Sequence, residues 1–233
     1  MLWFLLVFWL VPSIANAALT CVDAGAVEVH ENAPANPRTI SYTKPAGSNQ
    51  ITFAFIGFRE GASATISSVT QGGQSMPADT TFQYQGVIIG GNLYRLKDPP
   101  SGANDVVFTT SASVSQASFI IFTCTDTDLT SFRSFGSTKG LDTTPTITAS
   151  SVSAGDIIVA CMASDDTSDP TEGANQTIIH EGTTGSTNGA CTYKAGADGA
   201  TNSWTISSDD WVIFYYVLTP TSTDDGGAPL WFD

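Results

Sequence analysis

The sequence predicts an all-β protein, an antiparallel two-sheet sandwich of jelly-roll type. Three observations lead there. Short runs rich in Val, Ile, Phe, Thr and Tyr recur along the chain, separated by Gly, Pro, Asn, Asp and Ser. No run places its apolar residues at the helical period, and the usual helix formers are scarce. The stretches between runs are too short for the crossovers that parallel strands need, so pairing is antiparallel and the strands must pack as two sheets.

The elements follow in order. "AVEVH" (26–30) and "RTISY" (38–42) alternate apolar and polar residues. "ITFAFIGF" (51–58) is almost wholly apolar, which predicts cover on both faces. "ATISSVT" (64–70) runs into the turn "QGGQSMP", and "TFQYQGVIIG" (81–90) follows. Gly90-Gly91-Asn92 predicts a tight hairpin into "NLYRL" (92–96). Pro99 and Pro100 cannot donate backbone hydrogen bonds and end that strand, while Gly102 permits positive φ, so "KDPPSGAN" reads as a structural corner. In "DVVFTT" (105–110), Val106 and Phe108 share one face, Val107 and Thr109 the other. "ASFIIFTC" (117–124), "TPTITAS" (144–150), "DIIVACMA" (156–163), "QTIIHEG" (176–182), "ACTYKA" (190–195) and "SWTI" (203–206) continue the series. In "WVIFYYVL" (211–218), Trp211, Ile213, Tyr215 and Val217 fill one face, and Val212, Phe214, Tyr216 and Leu218 the other. Such a strand needs a further layer or a subunit over its second face.

The expected organisation is a signal peptide at 1–17, a β-sandwich at 18–220 and a flexible tail with an apolar end at 221–233. "SFRSFGSTKGLDTT" (131–144) is the best alternative domain boundary. The apolar run at 2–11 is too short to span a bilayer, and Ala15-Asn16-Ala17 fits a small-x-small cleavage site. No Lys or Arg precedes the run, so an anchor or docking peptide that stays on is the alternative. "ALTC" (18–21) is a poor lipobox because Thr20 precedes the cysteine. The expected location is extracellular, at a cell surface or on a virion, with no membrane span in the mature chain.

A net charge of −14 with eight Lys plus Arg argues against nucleic acid, which needs clustered cations. Cys21, Cys124, Cys161 and Cys191 make an even count, which in an exported chain suggests disulfides. Three pairings are open, and at least one bond involving Cys161 or Cys191 is expected. Asp165, Asp166 and Asp169 in "SDDTSDP" (164–170) could hold a loop calcium, although the spacing is not that of an EF-hand; otherwise the loop is acidic and solvated. No other cofactor is expected.

The usual catalytic signatures are missing. "GASAT" (61–65) lacks the last glycine of a nucleophile elbow. A triad would need His30 or His180 as a distant base. Glu28 and His30 share a strand face, a weak constellation whose bland reading is a solvated edge. Trp204, Tyr84, Tyr94 and Tyr193 could stack on sugars if exposed, with core packing as the default. Leu230, Trp231 and Phe232, after a Gly/Asp linker, could dock on a neighbouring chain or fold back on their own.

The segment "GGNLYRLKDPPSGANDVVFTTSASVSQASFIIFTCTD" resembles β-sandwich modules of phage virion and tail-associated proteins and of secreted bacterial surface proteins. The likeness is carried by Tyr94, Leu96, Pro99, Pro100, Gly102, Val106, Val107 and Asp126. "SVTQGGQSM" upstream and "TPTITASSVSAGDIIVACMAS" downstream fit the same layout, so it covers most of 51–218. Cys124 stands where this pattern carries glycine. The resemblance implies the sandwich fold and carries over no catalytic residues. The expected role is a non-catalytic exported structural or adhesive module of a virion or cell surface, acting by self-assembly or glycan binding. A homo-oligomer, other virion or surface proteins, or a glycan are its expected partners. A secreted glycosidase or lyase on a jelly-roll scaffold is the alternative.

Overall fold

Strands alternate between inner and outer sheets along the chain, and that alternation sets the architecture. The computed structural model describes residues 18–59, 64–79, 89–207 and 210–221. In the first half, β1 (Thr20–Asn32), β8 (Gln116–Thr125), β3 (Ile51–Arg59) and β6 (Ile89–Lys97) form an inner sheet in that order. An outer sheet runs β2 (Arg38–Thr43), β7 (Ala103–Thr110), β4 (Ile66–Gln71), β5 (Gln74–Ser75). Every pair is antiparallel. This order, with the chain crossing between sheets at almost every step, is that of a jelly roll.

The second half repeats it. β9 (Ser134–Gly140), β16 (Trp211–Leu218), β11 (Ile157–Ser164) and β14 (Thr187–Ala195) form the inner sheet, and β10 (Thr146–Thr148), β15 (Thr201–Thr205) and β12 (Thr171–Glu172) the outer one. Adding eight to each strand number of the first half gives the order of the second. One strand departs: β13 (Thr177–Thr184) joins the inner sheet beside β14 instead of completing the outer sheet. The antiparallel sandwich is therefore built twice. The sequence carries a faint echo, with "AGSNQITFAF" (46–55) answered by "AGDIIVAC" (154–161) and "GANDVVFTT" (102–110) by "GATNSWTIS" (199–207).

Three apolar layers hold four sheets together. Ala54, Ile56, Phe119 and Ile121 of the first inner sheet pack on Ile40, Val69, Val106 and Phe108 of its outer sheet. The opposite faces of the same strands, with Phe53, Phe55 and Phe122, pack on Val159, Val212, Phe214 and Tyr216 of the second inner sheet. Ile158, Met162, Trp211 and Ile213 then face Ile147 and Trp204 of the second outer sheet. The central strands β3, β8, β11 and β16 are buried on both faces, as expected for 51–58 and 211–218. The further layer over "WVIFYYVL" is β10-β15-β12 of the same chain. Burial of each large side chain contributes about 1.5–3 kcal/mol, and Phe53, Phe55 and Phe214 are all fully buried.

The corner after β6 is as expected. Gly102 has φ +81, and Asn104 Nδ2 donates to the carbonyls of Ser101 and Gly102 at 3.1 and 3.2 Å, closing the reversal from inner to outer sheet. One reading is corrected. Gly90-Gly91-Asn92 is no hairpin: β6 runs straight through it, opposite 56–58 of β3. Gly91 is required because a Cβ there would stand 2.7 Å from the carbonyl oxygen of Ile56. The stretch 131–144 contains a strand, β9, paired along β16. Its glycines give space for cross-strand rings: a Cβ on Gly136 would lie 2.8 Å from Tyr215, and one on Gly140 2.3 Å from Trp211. Residues 81–88 of the expected strand before β6 lie outside the described residues, as do the segment 1–17 and the tail from 222.

Candidate functional site

Both disulfides lie in the layer between the inner sheets. Cys21 on β1 faces Cys124 on β8, and Cys161 on β11 faces Cys191 on β14, each pair in direct register. The expected bond at Cys161 or Cys191 joins those two to each other. Two disulfides fit a chain that folds outside a reducing cytoplasm. Among the described residues, no helix is long and apolar enough to cross a membrane.

A polar cluster sits where the edge strands β1 and β13 of the two inner sheets meet. Glu28 and His30 project from β1, Ser118 from β8 and His180 from β13. His30 Nε2 donates to Glu28 Oε1, and Nδ1 shares a 2.7 Å hydrogen bond with Ser118 Oγ. His180 Nδ1 lies 3.3 Å from Glu28 Oε2. A register shift in β13 between Ile178 and His180 leaves Ile179 in the core and places His180 on the joint. Gly182 makes room, since a Cβ there would stand 2.4 Å from His30 Nε2 and 2.5 Å from Glu28 Oε1.

The sequence of groups Ser118, His30, Glu28 is that of a nucleophile, base and orienting acid. Its placement is not. Ser118 is wholly buried, and a Cβ on Gly189 of β14 would stand 2.8 Å from Ser118 Cβ. No carbonyl carbon can approach Ser118 Oγ beneath that strand. The cluster is a clamp: one carboxylate held by two imidazoles, one from each sandwich. Missed in the sequence were Ser118 and the pairing of Glu28 with His180, which no local spacing signals.

Burial alone would push the Glu28 carboxyl up. Hydrogen bonds from His180 and His30, with their positive charge when protonated, outweigh it and hold the carboxyl below its ordinary 4.5. A carboxyl depressed in the fold stabilises it above the unfolded pKa, and that contribution is lost as pH falls through the folded value. Glu28→Gln is therefore expected to lower stability at pH 7 by about 1.5–3 kcal/mol, the range for hydrogen bonds to a charged group. The deficit should shrink as pH drops below the ordinary carboxylate range. Guanidinium unfolding of both proteins across that range checks it; a deficit that ignores pH would show that Glu28 acts through packing rather than charge.

Glu181, next along β13, goes the other way. Burial pushes its carboxyl up first, and the charges of Glu172, Asp169 and Glu28 add to that. A raised and a lowered carboxyl near one another are what a general acid and its partner would need. The Glu28 oxygens, however, are taken by the two imidazoles.

The acidic loop is drawn into the fold. Asp165 pairs with Arg59 at 2.9 Å, joining the two sandwiches at the ends of β3 and β11. Asp166 Oδ1 accepts from the N–H of Thr167 and Ser168 and from the hydroxyl of Ser207, and Oδ2 from the N–H of Ser207 at 2.6 Å. Although burial opposes it, the Ser207 and Ser168 hydrogen bonds hold this carboxyl down at about 2. Asp169 does not join them, and no group of three or more metal-ligating side chains converges among the described residues. Of the candidate sugar platforms, Trp204 and Tyr94 are buried and Tyr193 packs against the layer between the inner sheets, which is the default of core packing. Tyr84, Leu230, Trp231 and Phe232 lie outside the described residues. An open groove of 470 Å³ bounded by Leu19, Ile157, Ala195 and Thr221 holds one carboxylate, Asp156. That group already accepts from Arg133 Nε and the N–H of Ser153, at 2.6 and 2.7 Å.

No family model, no curated protein and no solved structure matches the chain.

Proposed function

We propose that the protein is a non-catalytic exported module of a cell surface or virion, acting by self-assembly. One observation carries the reading: the polar groups that could have formed a reactive centre serve to join the two sandwiches. Glu28 is shared between His30 and His180, Ser118 is sealed under Gly189, and Asp165 is tied to Arg59. Two buried disulfides and four packed sheets support a rigid body for an oxidising exterior. The analogy with jelly rolls of capsids and lectins, and the resemblance to phage and surface modules, point the same way at the level of fold alone.

Self-assembly follows from the tail. Leu230, Trp231 and Phe232 follow the acidic, glycine-containing stretch 221–228, and three such side chains left in water are a liability that a second copy relieves. The full chain is expected to be a homo-oligomer that weakens when 230–233 is deleted. Sedimentation of both proteins over a concentration series decides. A monomeric full chain removes self-assembly, and hydrolysis of any member of a polysaccharide panel removes the non-catalytic reading.

A further inference from the structure

We infer that Asn175 is an acceptor site for an N-linked glycan, a site that rests on the export reading above. The chain holds nine Asn, and only Asn175, in Asn175-Gln176-Thr177, is followed two positions later by Ser or Thr. No proline stands between them. This triplet is the one read by oligosaccharide transfer in exported chains: the Asn amide is the nucleophile, and the hydroxyl two residues on is part of what is recognised. A triplet of this kind also recurs by chance, so its place in the fold decides.

The triplet lies where the turn 173–176 joins β12 to β13. The N–H of Gly173 donates to the carbonyl of Ser203 at 2.8 Å, and Asn175 has φ +60, a left-handed conformation that Asn tolerates better than most residues. Asn175 and Thr177 are both exposed. The residue between them turns into the fold: Gln176 Oε1 accepts from the N–H of Ser203 at 2.7 Å, and Nε2 donates to Thr192 Oγ1 at 3.2 Å. The two residues that transfer needs therefore face solvent, and the one it does not read anchors the turn. Asn92, Asn188 and Asn202, by contrast, are buried.

The surroundings suit a bulky hydrated group. β12 ends the second outer sheet and β13 ends the second inner sheet, and among the described residues neither pairs with a further strand. The turn 173–176 thus joins two open edges, and an open edge is a template for unwanted strand addition. A glycan rooted at Asn175 stands beside both and keeps other chains from them. The donor is a lipid-linked oligosaccharide diphosphate. Asn175 Nδ2 attacks the anomeric carbon of its first sugar. The N–C bond forms as the C–O bond to phosphate breaks, the leaving lipid diphosphate keeps the electron pair, and one amide proton is lost.

Three variants test the site without disturbing the turn or the strand. Asn175→Asp removes the amide but tolerates the left-handed φ, Thr177→Val removes the hydroxyl but suits a strand, and Thr177→Ser keeps the hydroxyl. The full chain and the variants are expressed in a eukaryotic secretory cell. Intact mass and peptide mapping follow, before and after treatment with peptide N-glycosidase, which converts a glycosylated Asn to Asp. The expected result is one glycan at Asn175 in the unmodified chain and in Thr177→Ser, and its loss in Asn175→Asp and Thr177→Val. A secreted, disulfide-bonded chain with no glycan at Asn175 overturns the site and leaves export standing. A sugar that persists in Thr177→Val lies elsewhere or is attached otherwise, and overturns the assignment. A chain retained in the cell with all its thiols free overturns export, and the site with it.

Discussion

Replacing Cys21 and Cys124 together by alanine is expected to lower the unfolding free energy by about 3–5 kcal/mol, more than the same change at Cys161 and Cys191. The ordering comes from the chain. The first bond closes a separation of 103 residues and the second one of 30, for which loop-closure entropy gives about 4.7 and about 3.6 kcal/mol. The surroundings sharpen the difference. β1 is an edge strand held on one side by β8, and it carries Glu28 and His30 into the joint with β13. β11 and β14 are interior strands with neighbours on both sides, so their pairing survives reduction better. Guanidinium unfolding of the two double variants measures both quantities. Equal losses, or a larger loss at Cys161 and Cys191, would show that local packing around each bond outweighs chain entropy.

Much of this architecture is legible in the sequence because burial imposes period two. Trp211 and Val212 head two interleaved sets that face different layers, and the doubly apolar pattern announced a layer beyond the first two sheets. Pro99, Pro100 and Gly102 announced the corner because only a few residues fit one; that it carries the chain from inner to outer sheet is seen in the structure. Glycine is where the reading failed. In Gly90-Gly91 and in Gly136 and Gly140 it provides room for a neighbouring backbone or ring, and a sequence does not distinguish that need from a turn. β9 was missed for this reason: apart from Phe135 its side chains are small or polar, and Tyr215 and Trp211 of another strand lie over its glycines. The duplication was hidden because β13 changed sheets and the loops diverged. The clamp was beyond reach, since it joins Glu28 to His180 across two sandwiches and depends on a one-residue bulge at Ile179. For the three aspartates of the 164–170 loop, composition indicated a cluster, whereas Arg59 and Ser207 take two of them separately.

Gly57→Ala is expected to destabilise the protein by about 1–3 kcal/mol, and Ala163→Gly in the same chain is expected to recover most of that loss. The two inner sheets approach closely at one end of their shared core. A Cβ on Gly57 of β3 would stand 2.3 Å from Ala163 Cβ of β11, and Gly189 of β14 meets Ser118 of β8 in the same seam. At the other end the gap is filled by rings, with Phe53 stacked at 5.3 Å on Phe122 and at 5.3 Å from Tyr216. The core is a wedge, and its thin edge tolerates one methyl between Gly57 and Ala163. Moving that methyl from β11 to β3 conserves volume, whereas adding a second forces the sheets apart and strains the neighbouring Glu28 clamp. Ala163→Gly alone should cost about 0.5–1 kcal/mol through backbone entropy. The double variant should then be more stable than the sum of the singles by about 0.5–3 kcal/mol. Additive losses would mean that the clash at Gly57 is relieved elsewhere, and that the sheets are not in register-locked contact at this seam.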